Sequence, residues 1–179
     1  KNKLFSALAL ISAIVIFAGT AHAGSPQTGT PGVLKVAFNG DMPMTGQDAN
    51  GNLIGTDGSL MVLIAENLGL KVEPHLMEWS AEIQSTKQGK TDIMHGAMGW
   101  IESRTKIMLL TDPIYYFGSA ATMKKGNNWT TFADMKGRCV STVSGFTLVP
   151  ELKSVEGIGE VKLYDTTDGA LRDLIAGRC

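Results

Sequence analysis

Short apolar runs alternate with longer amphipathic stretches along this chain, and that alternation limits the fold more than any other feature. Strands are predicted over 34–38, 71–76 and 91–94, where β-branched and apolar residues are bounded by turn residues. Helices are predicted between them, from Asp57 to Gly69 and over 80–87. Strands that alternate with helices at these spacings favour βαβ units, and therefore an α/β fold with a largely parallel sheet.

The first predicted helix has recognisable ends. Asp57 is a residue type that accepts hydrogen bonds at a helix N-cap, and Gly69 is the glycine expected just past the last turn. The apolar positions that repeat at helical spacing, and that we expect to face the core, are Leu60, Leu63, Ile64 and Leu68. In the following strand Pro74 lacks an N–H donor, so this strand is predicted to lie near a sheet edge.

A second cycle of the same kind begins near residue 130. Its predicted elements are a helical turn over 130–135, a strand over 138–143, a short helix over 147–153, a strand over 161–164 and a helix over 168–176. Between the two cycles we predict a helix over 104–109 and extended chain over 114–117 and 120–123. The last helix has no following strand to cross over to, so we expect the natural chain to continue beyond Cys179.

The first 23 residues have the composition of a secretory signal peptide. Two lysines in the first three residues precede an apolar run over 4–17, and Ala21-His22-Ala23 supplies a small-residue cleavage site. A membrane anchor is the alternative, but a bilayer-spanning helix needs about 20 consecutive apolar residues. We therefore predict an exported protein whose mature form begins near Gly24, with a flexible N-terminal segment over 24–33.

Charge and cysteine content exclude several classes of partner. Removal of the signal peptide leaves 14 basic and 17 acidic side chains, a net charge of −3, which provides no basic face for nucleic acid or a membrane surface. The two cysteines, Cys139 and Cys179, fit no metal-site spacing. An oxidising compartment permits a disulfide between them, and two free thiols are the alternative.

The segment from His95 to Arg104 combines small residues, an aromatic residue and an arginine. Gly96, Ala97 and Gly99 leave backbone N–H and C=O groups uncovered, and Trp100 and Arg104 follow directly. A planar guanidinium matches a carboxylate through two parallel hydrogen bonds. The alternative for Arg104 is a solvated arginine on a helix surface.

Several short segments in a fixed order carry a resemblance to a known family. They are Lys35-Val36-Ala37 with Pro43, Gly55-Thr56-Asp57, 65–69, Glu78-Trp79, 89–93, Glu102-Ser103-Arg104, 110–115, 135–138 and 144–147. Together, over residues 34–179, they resemble the periplasmic solute-binding proteins of ABC importers, in the family that binds polar amino acids (family 3).

The resemblance implies a two-lobed type II periplasmic-binding-protein fold that traps its ligand between the lobes. Residues 34–120 would form lobe one, and 121–179 the first part of an incomplete lobe two. The implied protein is a monomer in the periplasm of a Gram-negative type of cell, without a cofactor, metal site or catalytic residues. It would capture a small solute, an amino acid by resemblance, and deliver it to an inner-membrane ABC permease.

The resemblance also assigns ligand-binding residues. Gly96, Ala97 and Gly99 would offer backbone groups to an amino acid, and Arg104 would bind its α-carboxylate. In lobe two, Thr147 corresponds to a hydroxyl that contacts the same carboxylate, with a simple N-cap role as the alternative.

One departure from the family pattern leaves alternatives open. Asp41 stands where an aromatic residue commonly stacks on the ligand, so it is predicted either to meet a cationic group of the ligand or to cap a turn. Phe38 or Trp100 would then supply the aromatic contact, and core packing is the alternative for Phe38.

Two other functions remain compatible with the same scaffold. One is a periplasmic dehydratase of cyclic carboxylates, which needs a general acid in the cleft, and Asp41 or His95 would have to fill that role. The other is the ligand-sensing domain of a receptor. Fold alone does not separate these from transport.

Overall fold

A computed structural model describes residues 26–179 of the chain. The predicted signal peptide, residues 1–23, lies outside the described residues, as do the first two of the predicted N-terminal segment 24–33. The rest of that segment is attached to the fold, because the Gly29 N–H donates to an Asp92 carboxylate oxygen at 2.7 Å. Among the described residues, no helix combines the length and the apolarity needed to cross a membrane.

The first lobe is built on a three-stranded parallel sheet. Its elements are β1 (Val33–Phe38), β2 (Gly46–Gln47), β3 (Leu53–Ile54), α1 (Thr56–Asn67), β4 (Lys71–Leu76), α2 (Trp79–Lys87), β5 (Ile93–Met94) and α3 (Glu102–Thr105). The strand order β4-β1-β5 confirms the predicted parallel arrangement, and β4, which contains Pro74, lies at the edge of this sheet. Strands β2 and β3 form a separate antiparallel pair.

The central strand β1 is the centre of the hydrophobic core. The core cluster consists of Leu34, Val36, Phe38, Leu53, Met61 and Ala65. Ala37, which points to the other face of the sheet, is also fully buried. A strand buried on both faces is expected where helices cover a parallel sheet, and α1 and α2 both pack against this sheet.

The buried face of α1 differs from the predicted one. Met61 and Ala65 face the core, whereas Leu63, Ile64 and Leu68 are exposed. The cause is the turn before the helix, where Gly55 adopts a φ of +92° and approaches the Met44 backbone so closely that an added Cβ would lie 2.5 Å from its carbonyl oxygen. The Thr56 and Asp57 N–H groups donate to the Pro43 and Met44 carbonyls, and these bonds constrain the orientation of the first helical turn. The helix also begins at Thr56, so Asp57 is not its N-cap.

The second lobe repeats the pattern on a smaller scale. It contains a 3-10 helix (Phe132–Met135), β6 (Cys139–Val143), α4 (Val149–Ser154), β7 (Glu160–Tyr164) and α5 (Thr167–Ala176), and β6 pairs in parallel with β7. The buried Asp173 of α5 accepts hydrogen bonds from Lys162 and Tyr164 of β7.

The segment between the lobes is less regular than predicted. The helix expected over 104–109 is confined to Glu102–Thr105, and no strand forms over 114–123. Leu109 and Tyr116 are almost fully exposed. A short helix is stable only where an apolar face is packed, and in the described residues this face has nothing to pack against.

A disulfide joins Cys139 to Cys179, which decides between the two alternatives left open by the sequence. It connects the first residue of β6 to the segment just after α5, across a sequence separation of 40 residues. The bond therefore closes the two-stranded unit of the second lobe into a covalent loop.

We predict that the double variant Cys139→Ser/Cys179→Ser loses about 2–4 kcal/mol of unfolding free energy, because the unfolded chain regains the entropy of the open loop. Urea unfolding of both proteins measures this loss. Reductant should lower the midpoint of the wild type and leave the double variant unchanged. Equal midpoints for oxidised wild type and double variant would contradict the prediction.

Candidate functional site

Two hydrogen bonds between the lobes converge on one backbone carbonyl. Gly145, in the turn after β6, accepts a hydrogen bond from Arg104 Nη2 at 2.8 Å and another from Trp79 Nε1 at 3.2 Å. Ser80 Oγ adds a longer hydrogen bond to the Ser144 carbonyl, at 3.4 Å. The first lobe therefore holds the second through a turn whose backbone is uncovered.

Arg104 is a buried cation at this junction. Its side chain is enclosed, Nη1 donates to the Gly99 carbonyl at 2.8 Å, and the guanidinium lies 5.7 Å from the Trp79 ring centroid. Burial lowers the pKa of Arg104. In the described part of the chain no carboxylate pairs with it. Its neighbours are neutral carbonyls and an aromatic face, which do not neutralise its positive charge. The guanidinium can therefore still bind an anion.

The loop before α3 is folded around Asp57 of α1. Ala97 has a φ of +54°, unusual for a residue other than glycine. Its N–H donates to Asp57 Oδ2 at 2.9 Å, so this amide is already used within the protein. The Gly99 carbonyl is likewise occupied by Arg104. Of the three predicted backbone positions, Gly96 alone has neither of these two contacts.

Asp57 also holds the segment that leads to the second lobe. The Tyr115 hydroxyl lies 3.0 Å from both carboxylate oxygens of Asp57. Partial burial, together with this hydrogen bond and the negative charge of Asp57, raises the pKa of Tyr115 to about 12. One carboxylate therefore joins α1, the loop at Ala97 and the inter-lobe segment. The sequence predicted only an N-cap at this position.

Thr147 approaches this loop from the second lobe. A Cβ added to Gly99 would lie 3.0 Å from Thr147 Cγ2 and 3.1 Å from its hydroxyl oxygen. The residue next to it, Phe146, packs edge-on against Trp79 with ring centroids 5.6 Å apart. The glycine at position 99 thus allows the two lobes to approach.

The aromatic residue that lines the cleft is not one of the two predicted to contact the ligand. Phe38 is fully buried in the core, where its ring stacks on His95 at a centroid distance of 6.3 Å. Trp100 is more than half exposed and does not line the cleft. Trp79 lines the cleft instead. The sequence analysis included Trp79 only in a segment that carries the family resemblance and did not predict it as a ligand-binding residue. Its position next to a predicted helix start is the one sequence feature that could have suggested this role.

Asp41 connects the lobes at a second point. Its Oδ2 accepts hydrogen bonds from Asn39 Nδ2 at 2.7 Å and from the Thr167 hydroxyl, across the cleft, at 3.2 Å. Its backbone carbonyl accepts from two amides of the following turn. The turn predicted at Asp41 is therefore present, and the side chain is an inter-lobe contact as well.

The space between the lobes is large enough for a small molecule. A cavity of about 1140 Å³ is lined by Gly96, Ala97, Gly99, Arg104, Asp41 and Thr147, six of the eight predicted ligand-binding residues. Cavities that take small ligands commonly measure about 300–1,000 Å³. The arrangement is that of a two-sided cleft with an unpaired cation on its wall.

The model of the bacterial extracellular solute-binding proteins, family 3, matches residues 34–176. This chain belongs to that family. The fold is accordingly the two-lobed type II fold of periplasmic binding proteins, as the resemblance implied.

Individual relatives agree with this assignment. The Bacillus subtilis (strain 168) protein named "Probable amino-acid-binding protein YxeM" is 25% identical over 99% of this chain and 69% of its own length. The Haemophilus influenzae protein named "Probable amino-acid ABC transporter-binding protein" is 30% identical over 76% of this chain, which spans only 55% of it. A solved structure, "An ancestral arginine-binding protein bound to glutamine", is 33% identical with a TM-score of 0.78, over 83% of this chain and 67% of the other.

Two buried polar side chains of this solute-binding protein, Glu82 and His95, lack hydrogen-bond partners among the described residues, and the sequence drew attention to His95 only. Glu82 of α2 is fully buried, and neither of its carboxylate oxygens has a hydrogen-bond partner among the described residues. Burial and the negative charge of Asp41 raise the pKa of Glu82 to about 9. Burial lowers the pKa of His95, whose ring nitrogens also lack partners there. Both side chains are therefore neutral near pH 7.

We predict that Tyr115→Phe lowers the unfolding free energy by about 1–2 kcal/mol, because a hydrogen bond to a carboxylate is lost. Tyr116→Phe is the matched control, since Tyr116 is 96% exposed. In a double-mutant cycle, Asp57→Asn and Tyr115→Phe should be non-additive. Additive losses, measured by urea unfolding, would show that the two side chains act independently.

We predict that Glu82→Gln stabilises the protein more as pH rises. The folded state keeps the Glu82 proton up to about pH 9 while the unfolded chain releases it near pH 4.5, so wild-type stability falls across that interval. The unfolding free energy of the variant, relative to that of the wild type, should rise by up to about 1.4 kcal/mol for each pH unit above 5. Urea unfolding at pH 5 and pH 8 measures this, with the exposed Glu66→Gln as control. A constant difference between the two pH values would contradict it.

Proposed function

We propose that this chain is the substrate-binding component of an ABC transporter, which captures an amino acid between its lobes and delivers it to a membrane permease. The observation that carries the proposal is Arg104, a buried cation on the cleft wall with no carboxylate partner in the described residues. Membership of a solute-binding family and the names of two relatives support amino-acid transport.

In this proposal Arg104 binds the α-carboxylate of the ligand. Its two terminal nitrogens already donate to carbonyls of different lobes, Gly99 and Gly145, so the guanidinium contacts both sides of the cleft. A carboxylate gives stronger, charge-assisted hydrogen bonds than these carbonyls. Thr147 lies beside Gly99 and supplies a hydroxyl to the same region. Gly96 lines the cavity with its backbone.

Closure of the cleft follows from contacts that span it. Residues 34–120 act as lobe one and 121–179 as part of lobe two, and a ligand bound between them favours the closed arrangement. The protein acts as a periplasmic monomer in this proposal, exported by its signal peptide. Binding involves no bond making or breaking.

We predict that Arg104→Ala weakens binding of every amino acid the full-length protein takes by at least tenfold, because a buried charge loses its partner. Arg104→Lys should restore part of the affinity, since it keeps the charge but not the bidentate geometry. Titration calorimetry on the full-length protein measures both, and thermal unfolding of each variant checks that it is folded.

The matched control is Arg172→Ala, which removes an exposed arginine on α5 that forms an ion pair with the exposed Asp168. Its affinity should equal that of the wild type. Unchanged affinity in Arg104→Ala would remove Arg104 from the site. Turnover of a cyclic carboxylate without amino-acid binding would contradict the proposed function and favour the dehydratase.

A further inference from the structure

Ala97 is held in a backbone conformation that an alanine adopts only at a cost. Its φ is +54°, and it is the one residue other than glycine with a positive φ in the described part of the chain. In this region the Cβ of an L-residue crowds the following carbonyl oxygen, so the conformation needs support from its surroundings. The support here is Asp57, whose Oδ2 accepts the Ala97 N–H at 2.9 Å.

The carboxylate of Asp57 is well placed for this task. It is buried in the first turn of α1, and none of the ion pairs of the described residues includes it. Two donors share its oxygens, the Ala97 amide and the Tyr115 hydroxyl. A hydrogen bond from an amide to a carboxylate is stronger than one between two neutral groups. The bond can therefore offset the cost of the left-handed conformation.

The loop has little space on either side of Ala97. An added Cβ at Gly96 would lie 3.2 Å from Asn39 Oδ1 in the first lobe. At Gly99 an added Cβ would lie 3.0 Å from Thr147 Cγ2 in the second lobe. The loop therefore fits between the lobes only in a narrow range of backbone conformations.

Asp57 also determines which amides of the loop are left for a ligand. Within 96–99, the Ala97 N–H is the one amide that has an acceptor among the described residues. Gly96 and Gly99, whose amides have none there, line the cavity. A change of φ at Ala97 rotates the peptide groups beside it. Such a change would redirect these amides and displace the Gly99 carbonyl, to which Arg104 donates.

We propose that Asp57 is a positioning residue for ligand binding, which keeps Ala97 in its left-handed conformation and thereby holds the loop 96–99 and Arg104 in the arrangement that binds. Asp57 does not itself line the cavity, so it acts through Ala97. The inference rests on the proposed function, because it requires an amino acid to bind beside Arg104. A loop that is already ordered spares the ligand the cost of ordering it.

A double-mutant cycle on ligand affinity tests this role, with Ala97→Gly as the second substitution. Glycine reaches a positive φ without the steric cost, so the loop would no longer need Asp57. Asp57→Ala should weaken binding about tenfold, since the left-handed conformation of an L-residue has a cost of that size. In the Ala97→Gly background the same substitution should weaken binding by about threefold at most.

Titration calorimetry on the full-length protein measures the four affinities. The probe is the standard amino acid that raises the unfolding temperature of the wild type most. Tyr115→Phe is the control for stability, because it removes the other hydrogen bond of Asp57 and leaves the bond to Ala97 in place. It should lower the unfolding free energy and keep the affinity of the wild type.

Equal losses of affinity with and without Ala97→Gly, or a loss in Tyr115→Phe as large as in Asp57→Ala, would overturn the inference while amino-acid binding stands. If Asp57→Ala does not fold, the cycle is run with Asp57→Asn, which keeps the side-chain volume and makes the bond to Ala97 a neutral one. A smaller loss in the Ala97→Gly background then supports the inference, and equal losses contradict it. Failure of every standard amino acid to bind the wild type would overturn the proposed function and the inference with it.

Discussion

The guanidinium of Arg104 is the group on which the arrangement of the cleft depends. A buried cation without an anionic partner is costly unless donors and acceptors around it are well placed. Here two backbone carbonyls from opposite lobes and the face of Trp79 perform that task. The same side chain therefore donates hydrogen bonds to both lobes, and in the proposed function it also binds the carboxylate of the ligand. In that proposal, ligand binding and closure of the cleft depend on the same guanidinium.

That role requires a rigid support, which comes from Asp57. Its carboxylate fixes the Ala97 amide and accepts the Tyr115 hydroxyl, so it holds the loop that begins the arginine segment and the chain that leaves the first lobe. Ala97 and Tyr115 are thereby both held against α1.

The sequence predicted the local elements well and their burial less well. Strands β1, β4 and β7 follow from apolar and β-branched runs, and Gly69 and Gly177 mark helix ends correctly. The buried face of α1 was predicted wrongly because two apolar stripes share the helical period, and a tight turn at Gly55 selects the less hydrophobic one. The roles of Asp57 and Glu82 depend on contacts with distant residues, which no local pattern encodes. Of the proposed site, Arg104 was identifiable from its segment, whereas Trp79 was not.

The acceptor that joins the lobes is a main-chain oxygen, and it belongs to a glycine. Gly145 has a φ of +83°, and an added Cβ would lie 3.2 Å from the Trp79 ring. No side-chain substitution removes that oxygen, so natural variation can adjust the junction only through its donors or by crowding the turn. The residues that line the cleft can therefore change without loss of the acceptor that Arg104 and Trp79 share.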